Sequence, residues 1–159
     1  MSPISPPSEA DPTQSLVRSV RRIAQAIDVR SREIARLTGL TLPQILVLQS
    51  IRTLGEVSTL TVSRDVSMSA PTVVAVLDKL EAKGLIIRYR SAIDRRIVHA
   101  RLTPMGDEAL NTAPALLPDA AISAFAALPD HRRHEVAQAL QTVSDLLARA
   151  PATGAAEAP

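Results

Sequence analysis

The stretch "SMSAPTVVAVLDKLEAKGLIIRYRSAIDRRIVHARLTPMG", residues 67–106, decides the fold. It opens on a turn-forming triplet. Ser69 has the character of a helix N-cap, and Pro71 is tolerated in the first turn that follows. Val73, Val76, Leu77 and Leu80 then fall on one helical face. At Gly84 the period changes. "LIIRYR" (85–90) and "RIVHARL" (96–102) are β-branched runs that alternate in part, with "SAID" (91–94) between them. Together they predict a two-stranded hairpin directly after a helix.

Working outward, "LTVSRDV" (60–66) supplies a short helix before the turn. Val62, Ser63, Val66, Ser69 and Thr72 run apolar, small, apolar, capping, polar. The small side chain of Ser63 permits a close crossing of the next helix. This is the spacing of a helix-turn-helix, whose second helix enters the major groove. A basic hairpin following at once makes it a winged helix. The hairpin carries Arg88, Arg90, Arg95, Arg96 and Arg101 against one acid, Asp94. That excess suits phosphates and the negative potential of the minor groove.

Upstream, "TLPQILVLQSIRTLG" (41–55) is a helix with capping-box spacing between Thr41 and Gln44. Leu48, Ile51 and Leu54 supply its buried side, and Gly55 stops it. Residues 14–36 form another helix, with a seam of Leu16, Val20, Ile23, Ile27, Ile34 and Leu37. The missing step falls on Arg30, which either snorkels to the seam edge or holds an ion pair or a ligand. After Thr103, prolines at 114, 118 and 129 divide the chain. They predict a helix to about 113, a kinked segment to about 127, and a last helix over 130–149. The last helix has an apolar stripe of Val136, Ala139 or Leu140, Val143, Leu146 and Leu147. The expected fold is mostly α with a two-stranded β-wing. It comprises a winged domain over 38–103, a helical dimerisation region over 14–37 and 104–149, and disordered tails at 1–13 and 150–159.

Composition narrows the function. The 159 residues include no cysteine, so disulfides, thiolate nucleophiles, thiol redox sensing and cysteine-ligated zinc are excluded. With one Tyr and one Phe, the core must be aliphatic. Residues 38–104 carry 9 basic and 5 acidic side chains, a balance of +4, and the rest carries 9 and 11, a balance of −2. The basic middle is the place for a polyanion. No apolar run is long enough to span a membrane, and the N-terminus lacks signal-peptide character, so a cytoplasmic chain is expected. No nucleophile elbow, phosphate loop or framed carboxylate pair is present, so no enzymatic activity and no cofactor are expected.

"LTLPQILVLQSI" (40–51), "SMSAPTVVAVLDKLEAKGLIIR" (67–88) and "DRRIVHARLTPMG" (94–106) resemble the MarR family of bacterial winged-helix transcription regulators. The likeness runs in register from about Leu40 to Gly106. Its most specific part is Asp94-x-Arg96 followed by Leu102-Thr103 and Gly106. The resemblance implies a homodimer, interlocked through the first and last two helices, whose winged domains read half-sites of a palindromic operator in double-stranded DNA. The long apolar stripes of the terminal helices point to a dimer independently, because too little of the same chain remains to cover them.

The resemblance also implies roles. Arg96 would enter the minor groove with Asp94 holding its guanidinium, and Arg95 and Arg90 would meet phosphates. Asp94 could equally close the turn as an Asx residue, and the two roles can coexist. On the recognition helix the sequence departs from the family. Its outward positions are Thr72, Val74, Ala75, Asp78 and Lys79. Val74 and Ala75 can touch thymine methyls but cannot hydrogen-bond a base edge. Ser69 and Thr72 are expected as the main polar readers, and Ser67, Pro71, Lys79 and Arg88 complete the expected DNA face.

Many members of the family respond to small molecules, commonly aromatic acids or phenols, between the dimer helices and the winged domain. Arg22, Arg30 and His99 are the candidate ligand contacts. His131 and His134, three apart beside Asp130 and Glu135, are expected on a solvated face with no metal. The leading reading is a repressor released by a small-molecule ligand. The alternative is a winged-helix adaptor between proteins, with weak or lost sequence-specific DNA binding.

Overall fold

The computed structural model describes residues 11–149. The tail expected at 150–159, and that at 1–13 up to residue 10, lie outside the described residues. The order is α1 (Pro12–Thr38), α2 (Leu42–Leu54), β1 (Val57–Ser58), α3 (Thr59–Asp65), α4 (Ala70–Ala82), β2 (Ile86–Arg90), β3 (Val98–Leu102), α5 (Pro104–Thr112), α6 (Asp119–Ala126) and α7 (Asp130–Arg149). The chain forms two compact units, divided between Leu116 and Leu117. Among the described residues no single helix is long and apolar enough to cross a membrane.

Local chemistry sets the helix ends. Asp11 accepts a hydrogen bond from the Thr13 N–H at 3.0 Å, so α1 starts at Pro12, two residues before the expected position. Gly39, at φ 69°, ends it in the left-handed conformation. The Thr41 N–H donates to Gln44 Oε1 at 2.9 Å, as the capping-box spacing predicts. Leu54, expected on the buried side of α2, is 44% exposed because it is the last residue of the helix.

The sheet has three strands in the order β1-β3-β2, all neighbours antiparallel. The expected two-stranded wing is β2 and β3, and β1 adds a third strand beside β3. Val57 and Ser58 pair with Ala100 and His99. A two-residue strand shows no alternation, so nothing in its sequence announces it. The hairpin loop is also longer than "SAID". Because β3 begins at Val98, Arg96 and Ile97 belong to the loop.

The core of the first unit is wholly aliphatic. Ile45, Val47, Leu48 and Ile51 of α2 meet Val62 of α3, and Val73, Leu77 and Leu80 of α4. Ile86 and Ala100 of the sheet close it, and Ile34 of α1 and Leu110 of α5 join from either end. Each Val, Leu or Ile among them contributes about 1.5–3 kcal/mol by burial. Ile34 is the only buried residue of α1, and α6 and α7 have none.

One junction holds the hairpin to both flanking helices. The Thr103 hydroxyl donates to the Gly84 carbonyl at 2.7 Å and accepts from the Gly106 N–H at 3.1 Å. The Thr103 N–H donates to the Leu85 carbonyl, also at 3.1 Å. Gly106 packs on that same carbonyl: a Cβ there would lie 2.0 Å from the Leu85 oxygen. Only glycine fits without moving β2 away from α5.

Gly106→Ala is therefore expected to cost roughly 2–4 kcal/mol, read from the midpoint of urea unfolding. At Gly39 a Cβ would meet nothing within 4 Å. Gly39→Ala should cost only the left-handed strain, about 1–2 kcal/mol.

Candidate nucleic-acid interface

The helix-turn-helix is tied together by Ser63. Its hydroxyl donates to the Met68 carbonyl at 2.5 Å, and the Met68 N–H donates to the Ser63 carbonyl at 3.2 Å. A larger side chain at 63 would displace the turn. Ser67 takes a positive φ of 53°, uncommon for a residue other than glycine, to bring the chain round. Ser69 then caps α4: its Oγ accepts from the Thr72 N–H at 3.3 Å and lies 2.7 Å from the Thr72 hydroxyl. The two expected polar readers thus engage each other, which leaves each fewer free hydrogen-bonding positions.

The outer face of α4 presents Pro71, Thr72, Val74, Ala75, Asp78 and Lys79, all exposed, opposite the buried Val73, Val76, Leu77 and Leu80. Val74 is 41% exposed. The positive end of the helix dipole lies at the Ser69 end of this face.

At the wing tip, Asp94 closes the loop. Its Oδ1 accepts from the backbone N–H of Arg96 at 2.9 Å. The expected pairing of Asp94 with the Arg96 guanidinium is not formed; the carboxylate satisfies the turn instead. Ser91 Oγ accepts from the N–H groups of Ile93 and Asp94 at 3.2 and 3.3 Å. Arg90 Nη1 donates to the Arg95 carbonyl at 3.2 Å, bracing the loop from β2. Arg95 and Arg96 are exposed, and among the described residues neither guanidinium has an ion-pair partner.

Arg88 stands elsewhere than expected. Its guanidinium is turned onto α4, with Nε and Nη2 on Glu81 Oε2 at 2.8 and 2.6 Å and Nη2 on Asp78 Oδ1 at 2.7 Å. The Arg88 backbone N–H also donates to Glu81 Oε1 at 3.2 Å. The hydrogen bond from Arg88 holds the Glu81 carboxyl below its usual pKa, and Glu81 in turn raises that of Arg88. Arg88 is thus the brace between wing and recognition helix. Sequence reasoning missed it, although Asp78 and Glu81 at i, i+3 facing a strand that starts five residues later are a visible signal.

The opposite face of the sheet carries an aromatic pair. The rings of Tyr89 and His99, cross-strand neighbours, stack at 5.7 Å, and the Arg101 guanidinium lies 5.9 Å over Tyr89. The Tyr89 hydroxyl is out of contact with solvent and has no hydrogen-bond partner among the described residues. The Glu56 carboxylate beside it raises the phenol pKa.

The three candidate ligand contacts have separate surroundings. Arg22 shares a groove of about 410 Å³ along α1 with Arg18 and Arg21. Arg30 pairs with Glu33 and donates from Nε to the Ala115 carbonyl at 2.7 Å, so its step on the seam is an ion pair. His99 stacks on Tyr89. His131 and His134 are exposed on α7, and His134 Nδ1 lies 2.9 Å from the Asp130 carbonyl.

A short capped helix, an apolar-faced second helix and a basic three-stranded wing define a winged helix-turn-helix. Residues 40–98 match the sequence model of the MarR family. The chain is 30% identical over 90 residues to the uncharacterized HTH-type transcriptional regulator YsmB of Bacillus subtilis, covering 57% of this chain and 62% of that protein. It is 29% identical over 89 residues to the HTH-type transcriptional repressor MdtR of the same organism, covering 56% and 57%. It thus spans about three-fifths of the length of these curated relatives. Among solved structures it resembles Bordetella bronchiseptica BpsR, a structure concerned with regulation of DNA binding by 6-hydroxynicotinic acid. The TM-score is 0.64 at 25% identity, over 82% of this chain and 98% of that one.

The Glu81–Arg88 bond makes a pH prediction. Because the folded pKa of Glu81 is depressed, its contribution is complete above the ordinary glutamate range, about 4.3, and is lost as pH falls through the folded value. Glu81→Gln should cost about 1 kcal/mol at neutral pH, limited by solvent screening of the half-exposed carboxylate. As pH falls through that depressed value, the Tm curves of variant and parent should converge.

Proposed function

We propose that the chain is a DNA-binding transcription repressor. In this reading it acts as a homodimer on a palindromic operator and is released by a small-molecule ligand. The observation that carries DNA binding is the pair of unpartnered guanidinium groups, Arg95 and Arg96, on a braced loop beside an outward-facing recognition helix. Arg96 is assigned to the minor groove and Arg95 to a phosphate. Val74 and Ala75 give methyl contacts in the major groove, with Ser67, Ser69, Pro71, Thr72 and Lys79 around them. Asp78 faces the same way, but its charge is offset by Arg88. Affinity therefore leans on the wing and the DNA backbone and should fall steeply with salt.

The exposed apolar residues of α1, α6 and α7 support the dimer. Leu16, Ile23 and Ile27 on α1, Ile122 and Phe125 on α6, and Leu140, Leu146 and Leu147 on α7 are all solvent-facing in a single chain. Repression is supported by MdtR, and ligand control by BpsR. Arg22 remains the free candidate for the effector, since Arg30 is already paired and His99 is stacked.

The test begins with duplexes selected from a random pool. Arg96→Ala should lower affinity for them at least tenfold, and Arg95→Ala should reduce the salt slope by about 1. Arg88→Ala should weaken binding with the slope unchanged, because its charge is neutralised within the protein. Undiminished affinity in Arg96→Ala would sink the wing-centred reading. A chain that selects no duplex at all would favour the adaptor. For the dimer, Leu140→Asp with Leu147→Asp should halve the mass in sedimentation and reduce palindrome affinity to that of a half-site.

A further inference from the structure

We infer that the winged domain carries a separate small-molecule site in the groove between α2 and α3, and that it takes a primary amine with an apolar body. The groove has a volume of about 370 Å³ and is lined by Leu46, Gln49, Ser50 and Thr53 of α2 with Asp65 and Val66 at the end of α3. That volume is within the range of small-ligand sites, which combine apolar walls with a few convergent polar groups. Leu46 and Val66 are the walls. Ser50 is the polar floor: it is 3% exposed, and its hydroxyl has no hydrogen-bond partner. A helical serine ordinarily returns its hydroxyl to a carbonyl of the preceding turn, and a buried polar group left unpaired is costly. This one is left unpaired, its oxygen covered, in a residue that lines the groove.

Asp65 selects the ligand. It is exposed at the groove, and among the described residues no cation lies within 4 Å of it. A carboxylate only accepts hydrogen bonds, whereas the Ser50 hydroxyl both donates and accepts. An ammonium can donate to Asp65 while its apolar part lies on Leu46 and Val66. A carboxylate or phenolate ligand would be repelled, so this site has the opposite preference to one lined by the arginines of α1. Its position gives it leverage. Val66 leads directly into Ser67, with its positive φ, and into Ser69, the cap of α4. A ligand joining Ser50 to Asp65 ties α3 to α2 at the point from which the recognition helix hangs.

The chain has no cysteine, so Thr53→Cys places a single thiol at the groove. Benzylamine should protect that thiol from a maleimide with Kd on the order of 1 mM. Benzyl alcohol and phenylacetate should be at least tenfold weaker. Asp65→Asn in the same background should weaken protection about tenfold. Ser50→Ala should weaken it several-fold while leaving Tm equal or higher, because it removes an unsatisfied hydroxyl. In the unmodified chain, benzylamine should shift the amide resonances of residues 46–53 and 65–69. Equal protection by all three probes would overturn the inference. So would protection indifferent to Asp65→Asn, a thiol that never labels because a second copy covers it, or resonance shifts confined to α1.

Discussion

The guanidinium of Arg88, held between Glu81 and Asp78, is the constraint on which the winged domain's geometry depends. It joins the outer half of α4 to the first strand of the wing, so recognition helix and hairpin cannot rotate independently. A bond shared by two carboxylates and a backbone N–H is directional as well as attractive. It also changes how charge is distributed. An arginine that looks like one more cation for DNA is turned inward, and an aspartate that would repel DNA is quenched. The free positive charge of the hairpin is thereby left to Arg90, Arg95, Arg96 and Arg101.

The base of the hairpin is fixed by different means. There the Leu85 carbonyl receives the Thr103 N–H and the bare backbone of Gly106. One end of the wing is held by an ion pair and the other by steric closeness, so only the loop over 91–97 is left to adapt. Within it, Asp94 gives its carboxylate to the Arg96 N–H, which fixes where the Arg96 side chain departs but not where it ends. That division suits the groove-seeking role proposed for Arg96.

Much of this was legible in the sequence. Ser63, Ser69, the capping pair Thr41 and Gln44, and the prolines at 114, 118 and 129 each impose a local geometry that no tertiary contact overrides. The elements placed from them stand within a few residues of where they were expected. The outward face of α4 was readable for the same reason, since a helical stripe fixes its own opposite side. What was not legible depended on partners distant in sequence or on segments too short to carry a pattern. β1 is two residues long. The destination of Arg88 depends on the angle at which β2 leaves α4. Asp94 had two chemically equal choices, and only the loop's length, with Arg96 and Ile97 outside the strand, decides between them. The groove under Ser50 arises from the packing of α2 on α3, and a serine inside an apolar helix gives no sign of it.

The poverty of aromatic residues has an optical consequence. Tryptophan is absent and Tyr89 is the only tyrosine. Apart from the weak contribution of Phe125, all ultraviolet emission of the protein therefore originates in β2, from a ring stacked on His99 and covered by Arg101. The wing carries its own built-in fluorophore, and no signal from the remaining helices obscures it.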